Sequence, residues 1–203
     1  MTVTISRLYD SYPEAQKAVQ SLESGGVPHG DISIVANNSD GWFDGKKDRD
    51  GDGVDDRAES AGTGAGIGAG LGGAAGLLAG LGLLAIPGLG PVVAAGWLAA
   101  TAVGAAAGAA TGGLVGALTE AGVSKDEAPV YAEGVRRGGT LVSARVNEAD
   151  RARLEALMSP SSVNLKDRRL AWEKSGWSGY DPASQPYDAA QVRKEREQYG
   201  TMR

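Results

Sequence analysis

The chain has no cysteine, one histidine and one phenylalanine in 203 residues. Without thiols it forms no disulfide, no thiolate metal site and no cysteine nucleophile. The single histidine, His29 in Val27-Pro28-His29-Gly30, has no companion ligands for zinc and no partners for a hydrolase triad, so it is expected to be a loop residue. Aromatics make up only 5% of the sequence, which points to a small globular core. The net charge is −5 and no basic stripe is present, so nucleic acid is not an expected partner. The first residues, Met1-Thr2-Val3-Thr4-Ile5, lack the basic region and apolar run of a signal peptide. The polar parts are therefore expected to be cytoplasmic.

The widest gap is in charge. From Ala61 to Thr119, fifty-nine residues pass without a charged side chain, nearly all of them Gly, Ala, Leu, Val or Ile. Glycines recur every fourth residue at Gly64, Gly68, Gly72, Gly76 and Gly80. After Ile86-Pro87-Gly88-Leu89-Gly90-Pro91 the spacing returns as Gly96, Ala100, Gly104, Gly108, Gly112 and Gly116. Four residues is close to one helical turn, so each series predicts a smooth groove on one helix face. Such grooves let helix backbones dock closely in lipid, and the Pro-Gly and Gly-Pro pairs supply a turn between them. The expectation is a helical hairpin of two glycine-zipper arms. Each arm, about 25 residues or roughly 37 Å, could cross a hydrocarbon core of about 30 Å. Its many glycines make it a weak span, so a soluble hairpin buried in an oligomer stands as the alternative. No ionisable residue lies inside the arms, which argues against a transport path. Gly64-Ala65-Gly66-Ile67-Gly68-Ala69-Gly70 superficially matches a nucleotide-binding loop. It follows no strand and its repeat continues for many turns, so helix packing explains it better and no nucleotide is expected.

The flanks of this stretch are ordinary in pattern. Thr2 to Tyr9 alternates as a half-buried strand. Pro13 then opens a helix carrying Ala15, Ala18, Val19 and Leu22, which Gly25-Gly26 stops, and Asp31 to Ala36 follows as a second strand. Beyond the apolar stretch, Ser124 and Glu127 form a capping box with Val123 and Ala128 as its staple. That helix runs to about Arg137, where Arg136-Arg137 would be solvated or meet anionic headgroups. Gly138-Gly139 stops it, Thr140 to Val146 makes a third strand, and Asn147 with Asp150 caps a helix to about Met158 with Leu154, Leu157 and Met158 inward. Glu14-Ala15 precedes Gly25-Gly26 by the same spacing as Glu127-Ala128 precedes Gly138-Gly139. This echo suggests that the flanks pack together as one α+β domain with the hairpin inserted.

These residues resemble a family. Leu8-Tyr9-Asp10 leading to Glu14-Ala15, Gly26-Val27 to Ile32-Ser33-Ile34-Val35, Gly122-Val123 to Ala128, Tyr131-Ala132-Glu133-Gly134-Val135 and Gly138-Gly139-Thr140-Leu141-Val142 are similar to bacterial general stress proteins with a heat-induced YflT-type domain. The likeness covers about residues 3–37 and 120–157, and the glycine hairpin resembles that of proteobacterial members. Its motifs are structural, so it implies a fold and a stress-linked role, with no catalytic residues to transfer.

One stretch has pointed chemistry. Asp48-Arg49-Asp50-Gly51-Asp52-Gly53-Val54-Asp55-Asp56-Arg57-Ala58-Glu59 has the spacing of a twelve-residue calcium loop, whose oxygen ligands would come from Asp48, Asp50, Asp52, Val54, Asp56 and Glu59. Asp55 stands where an apolar residue is usual and no convincing helix enters the loop. A solvated acidic linker is the competing reading, and apart from this possible Ca2+ no cofactor is expected. From Ser159 the chain is polar and Pro/Gly-punctuated, which predicts a flexible tail with a short helix over Ala189–Tyr199. Its Trp172, Trp177, Tyr180 and Tyr187 would anchor at a membrane interface or dock on the domain, with a peptide motif for a partner as the runner-up.

The expected fold is α+β: a small split β-α-β / α-β-α domain, three-stranded and ferredoxin-like in flavour, with an inserted glycine-zipper helical hairpin. The expected divisions are residues 1–40, an acidic linker 41–60, the hairpin 61–119, the second half-domain 120–158 and a flexible tail 159–203. The expected role is non-enzymatic: a stress protein held at the inner membrane by the hairpin, with membrane lipid and further copies of itself as partners. A soluble, cation-responsive oligomeric module in the cytoplasm is the alternative.

Overall fold

The computed structural model describes residues 1–39, 43, 82–86, 89–98, 101 and 113–200. Strand β1 (Thr2–Tyr9) leads through helix α1 (Tyr12–Ser24) and a 3-10 turn (His29–Asp31) to β2 (Ile32–Asn37). Strands β3 (Gly82–Ile86) and β4 (Gly90–Ala95) follow, then α2 (Leu114–Glu120), α3 (Ala128–Arg136), β5 (Thr140–Asn147), a 3-10 turn (Glu148–Asp150), α4 (Arg151–Met158), α5 (Leu165–Lys174) and α6 (Ala189–Tyr199).

The five strands form one sheet in the order β1-β5-β2-β4-β3, and every neighbouring pair is antiparallel. β1 and β2 both pair with β5, so α1 joins two parallel strands with a third strand between them. The sheet alternates as the sequence does. Ile5, Tyr9, Ile32, Ile34, Val93, Val142 and Ala144 bury one face against Ala15, Val19 and Leu22 of α1 and Leu154 and Met158 of α4. Leu8, Val35, Val92, Ala94 and Leu141 bury the other against Leu114 and Leu118 of α2 and Tyr131 and Val135 of α3. With helices on both faces, every residue of β2 is buried. Each fully buried Ile, Leu or Val here contributes roughly 1.5–3 kcal/mol of transfer free energy. The fold is therefore α+β, and the two flanks pack together in one sheet.

Local signals explain the ends of these elements. Ser124 Oγ accepts from the Glu127 amide at 3.2 Å and donates to Glu127 Oε2 at 3.0 Å, so only the serine half of the expected box forms, one turn ahead of α3, whose N-cap is Glu127. After α3, the Gly138 amide donates to Val135 O at 3.0 Å and the Gly139 amide to Gly134 O at 2.9 Å, with Gly138 at φ +107°. This Schellman closure needs a left-handed residue, which glycine supplies without a Cβ clash. In α1 the left-handed position falls on Gly26, the second glycine of its pair, so the two closures are offset by one residue within the echoed pairs.

Two expectations change. The stretch 61–119 was expected to be two zipper helices, yet residues 82–86 and 90–95 are antiparallel strands that extend the sheet beyond β2. Pro87, Gly88, Gly90 and Pro91 cut the apolar run into pieces of strand length, and Val92-Val93 favour the extended chain. Pro91 lies just beyond Val92, where the pairing with β2 ends, so its missing N–H costs no bond to that strand. The chain reverses between these two strands, where the sequence put the turn, and the segments 82–86 and 90–95 on either side of it are extended, not helical. Gly96 closes β4 at φ +87°, and a Cβ there would overlap the Ile32 carbonyl oxygen. Gly64, Gly68, Gly72, Gly76, Gly80, Gly104, Gly108 and Gly112 lie outside the described residues. Gly116 falls on α2, which buries Leu114, Ala117 and Leu118.

The tail also differs from the flexible segment expected. Helices α5 and α6 dock on the domain through Trp172, Val192 and Tyr199, all buried. The α6 helix covers the predicted span Ala189–Tyr199 and starts with a capping box between Asp188 and Gln191.

Candidate functional site

The most concentrated chemistry among the described residues lies where α5 and α6 meet α3. Glu133, Arg136 and Arg137 sit at i, i+3 and i+4 of α3, a spacing that gathers them on one side of the helix. Arg136 grips Glu133 in a fork, Nε to Oε2 at 2.8 Å and NH2 to Oε1 at 2.6 Å. Arg137 Nε donates to the same Oε1. Arg137 also reaches Glu195 of α6, NH1 to Oε2 at 3.2 Å, and the Trp172 indole N–H donates to Glu195 Oε1 at 2.6 Å. Arg136 lies 4.5 Å over the Tyr187 ring and donates to Gln185 O at 3.1 Å, while Arg137 lies 4.8 Å over Trp172.

Glu133 is 1% exposed and Glu195 8%. Two carboxylates face two guanidiniums, so the four buried charges balance. Burial pushes the Glu195 carboxyl above its ordinary value, against the opposing pull of Arg137 and the Trp172 N–H. Beside them Arg168 pairs bidentately with Asp10 at 2.8 and 3.1 Å and donates to Tyr199 O at 2.7 Å. The cavity between these groups, lined by Asp10, Arg137, Gly138, Arg168, Trp172 and Glu195, holds about 10 Å³. That is room for about one water. The cluster holds the C-terminal helices on the domain, and a substrate does not fit within it.

The sequence reading placed Arg136-Arg137 in solvent or at headgroups; instead they are the inner half of this cluster. The available signal was the pairing of i, i+3 and i+4 charges on α3 with tryptophan in an otherwise polar tail. Their meeting across about sixty residues had no local trace. Of the readings of the tail aromatics, docking on the domain describes Trp172 and Tyr187.

Several other polar groups are engaged in structural bonds. Ser6 and Ser143 share a buried hydroxyl–hydroxyl bond at 2.8 Å, and Ser33 Oγ donates to Ala95 O at 2.8 Å. Tyr131 donates to Ser6 O at 2.8 Å, and burial above all pushes its phenol up to about 12. His29 bonds Glu23 at 3.2 Å in the 3-10 turn. An open cleft of about 310 Å³ is lined by Arg7, Glu127, Tyr131, Ser162, Asn164 and Leu165. Among the described residues no group of three or more acidic or histidine side chains is placed to hold a metal. The candidate calcium residues Asp48, Asp50, Asp52, Val54, Asp56 and Glu59 lie outside the described residues. Among the described residues no helix is long and apolar enough to cross a membrane. No family model, curated protein or solved structure matches the chain.

Proposed function

We propose that the protein is a non-enzymatic general stress protein that acts by self-association at the inner membrane, with its sheet domain in the cytoplasm. The observation behind this reading is the uncharged span 61–119, whose glycines repeat at the spacing of packed helices. The resemblance of residues 3–37 and 120–157 to heat-induced stress proteins supports the role. In this reading the α+β domain is split by the apolar segment. The middle of that segment completes the sheet, and the runs 61–81 and 99–112 meet lipid and neighbouring copies.

One observation favours a second reading. Strands 82–86 and 90–95 belong to the sheet itself, so part of the span already has a protein partner. The chain would then be a soluble oligomeric module with the glycine-rich runs as its assembly core and the acidic loop 48–59 as a Ca2+-responsive element.

Membrane fractionation with a carbonate wash separates the two. The full chain is expected to stay with the membrane pellet, and Leu71→Lys/Leu78→Lys, which puts two charges into the first run, is expected to release it. Each lysine at a bilayer centre costs about 2.5–3.5 kcal/mol. A wild-type chain that the wash frees entirely would contradict the membrane reading and leave the assembly-core reading standing.

A further inference from the structure

We infer that residues 165–199 form a detachable strap, a tethered ligand of the arginine face of α3 that lifts off as a unit while the sheet stays closed. This goes beyond the proposed function and does not depend on it, because it uses none of the residues from 40 to 81.

The strap is seated differently from every other element. The helices on the sheet are held by continuous rows of Leu, Val, Ile and Ala. The strap buries Trp172, Val192 and Tyr199 fully, packs Leu165, Ala171, Trp177 and Tyr180 only in part, and rests heavily on charge: Arg137 to Glu195, Arg168 to Asp10, and guanidiniums over Tyr187 and Trp172. Removing paired charges from water costs most of what their attraction returns. The net stability of this seat is therefore small beside that of the sheet.

The main chain leaves the sheet where the strap begins. Ser162 bridges Tyr9 and the Val163 amide donates to Leu8 O at 2.8 Å, so the main chain is tied to the β1 edge up to that point. Just before it, Ser161 has φ +63°, and it is the one non-glycine residue in the left-handed region among the described residues. Beyond Val163, α5 and α6 add no strand to the sheet.

The seat is shaped for what it receives. Gly138 leaves no room for a Cβ because Val192 occupies that space, and the Gly138 carbonyl accepts from Arg196 NH2 at 2.9 Å. Glu133 holds both guanidiniums in place from beneath. A vacated seat would thus present two fixed cations beside a bare backbone floor. Its complement is a peptide segment that brings an aromatic ring and a carboxylate together, as Trp172 and Glu195 do.

Hydrogen exchange followed by mass spectrometry on the full chain tests this. Amides of 165–199 are expected to exchange through openings that leave β1, β5 and β2 protected. Arg137→Gln, which strands Glu195, should speed strap exchange about a hundredfold, with β5, which opens from the same destabilised native state, still far slower than the strap. Val192→Ala leaves the charges intact and should speed strap exchange about tenfold, again with β5 the slower. The inference is overturned if strap and β5 exchange at one common rate in the wild type and in both variants.

Discussion

Gly96→Ala is expected to destabilise the protein by at least about 2 kcal/mol, read from denaturant midpoints at unchanged slope. Two costs combine. The residue has φ +87°, which an alanine adopts only with strain, and its new methyl would meet the Ile32 carbonyl oxygen of the adjacent strand. Backbone cannot swing aside as a flexible side chain would, so β4 must shift away from β2. A zipper helix predicts the opposite sign. There Gly96 would be one small residue in a series that already contains Ala100, and alanine is the better helix former by about 1 kcal/mol. The direction of this one change thus separates sheet from zipper at the point where they conflict.

The second large effect is at Glu133. Glu133→Gln keeps the shape of the side chain and removes the charge that faces Arg136 and Arg137. Losing one partner of a buried pair costs about 3–5 kcal/mol, because the remaining charges stay desolvated and unopposed. The expected result is a drop of that size in unfolding free energy. Arg145→Gln is the control. Its pair with Asp31 at 3.0 Å has both side chains around 40% exposed, and such pairs contribute about 0–1 kcal/mol. Equal effects at the two sites would mean that the α3 cluster is no more important than a surface pair.

Much of the domain was legible from spacing alone. The strand Thr2–Tyr9, the helix carrying Ala15, Ala18, Val19 and Leu22, the strand at Thr140 and the inward Leu154 and Met158 all follow local rules, and the structure has them within a residue or two. The echo between the glycine pairs correctly suggested that the flanks pack together, since β5 of the second flank lies between β1 and β2 of the first. The β3–β4 hairpin was not legible in the same way. An uninterrupted apolar run has no polar face, and without one neither a period of 2.0 nor of 3.6 shows. Glycine spacing then dominated the reading, while Pro87, Pro91 and Val92-Val93 were the signals for strand.

The cluster failed to show for another reason. A charge pair on α3 and a glutamate near the C-terminus meet only because the fold brings α6 onto Gly138. Polar composition and Pro/Gly punctuation suggested a loose tail because its docking uses few apolar side chains, and the aromatic ones among them are large. Trp172 and Tyr199 were visible as aromatics out of place, and their partners were not.

The central structural claim is that the middle of the uncharged stretch is part of the sheet, with Val93 opposite Ala36. The chain has no native cysteine, so a single introduced pair reports on it without background. Opposed residues on antiparallel strands have Cβ atoms about 4.5–5.5 Å apart, within reach of a disulfide after slight adjustment. In the Ala36→Cys/Val93→Cys variant, mild oxidation is expected to give an intramolecular disulfide in nearly every molecule. The offset pair Ala36→Cys/Ala94→Cys, whose side chains point to opposite faces, is expected to remain reduced. Failure of the 36–93 pair to close, with the protein folded, would contradict the sheet placement and return the stretch to a helical hairpin.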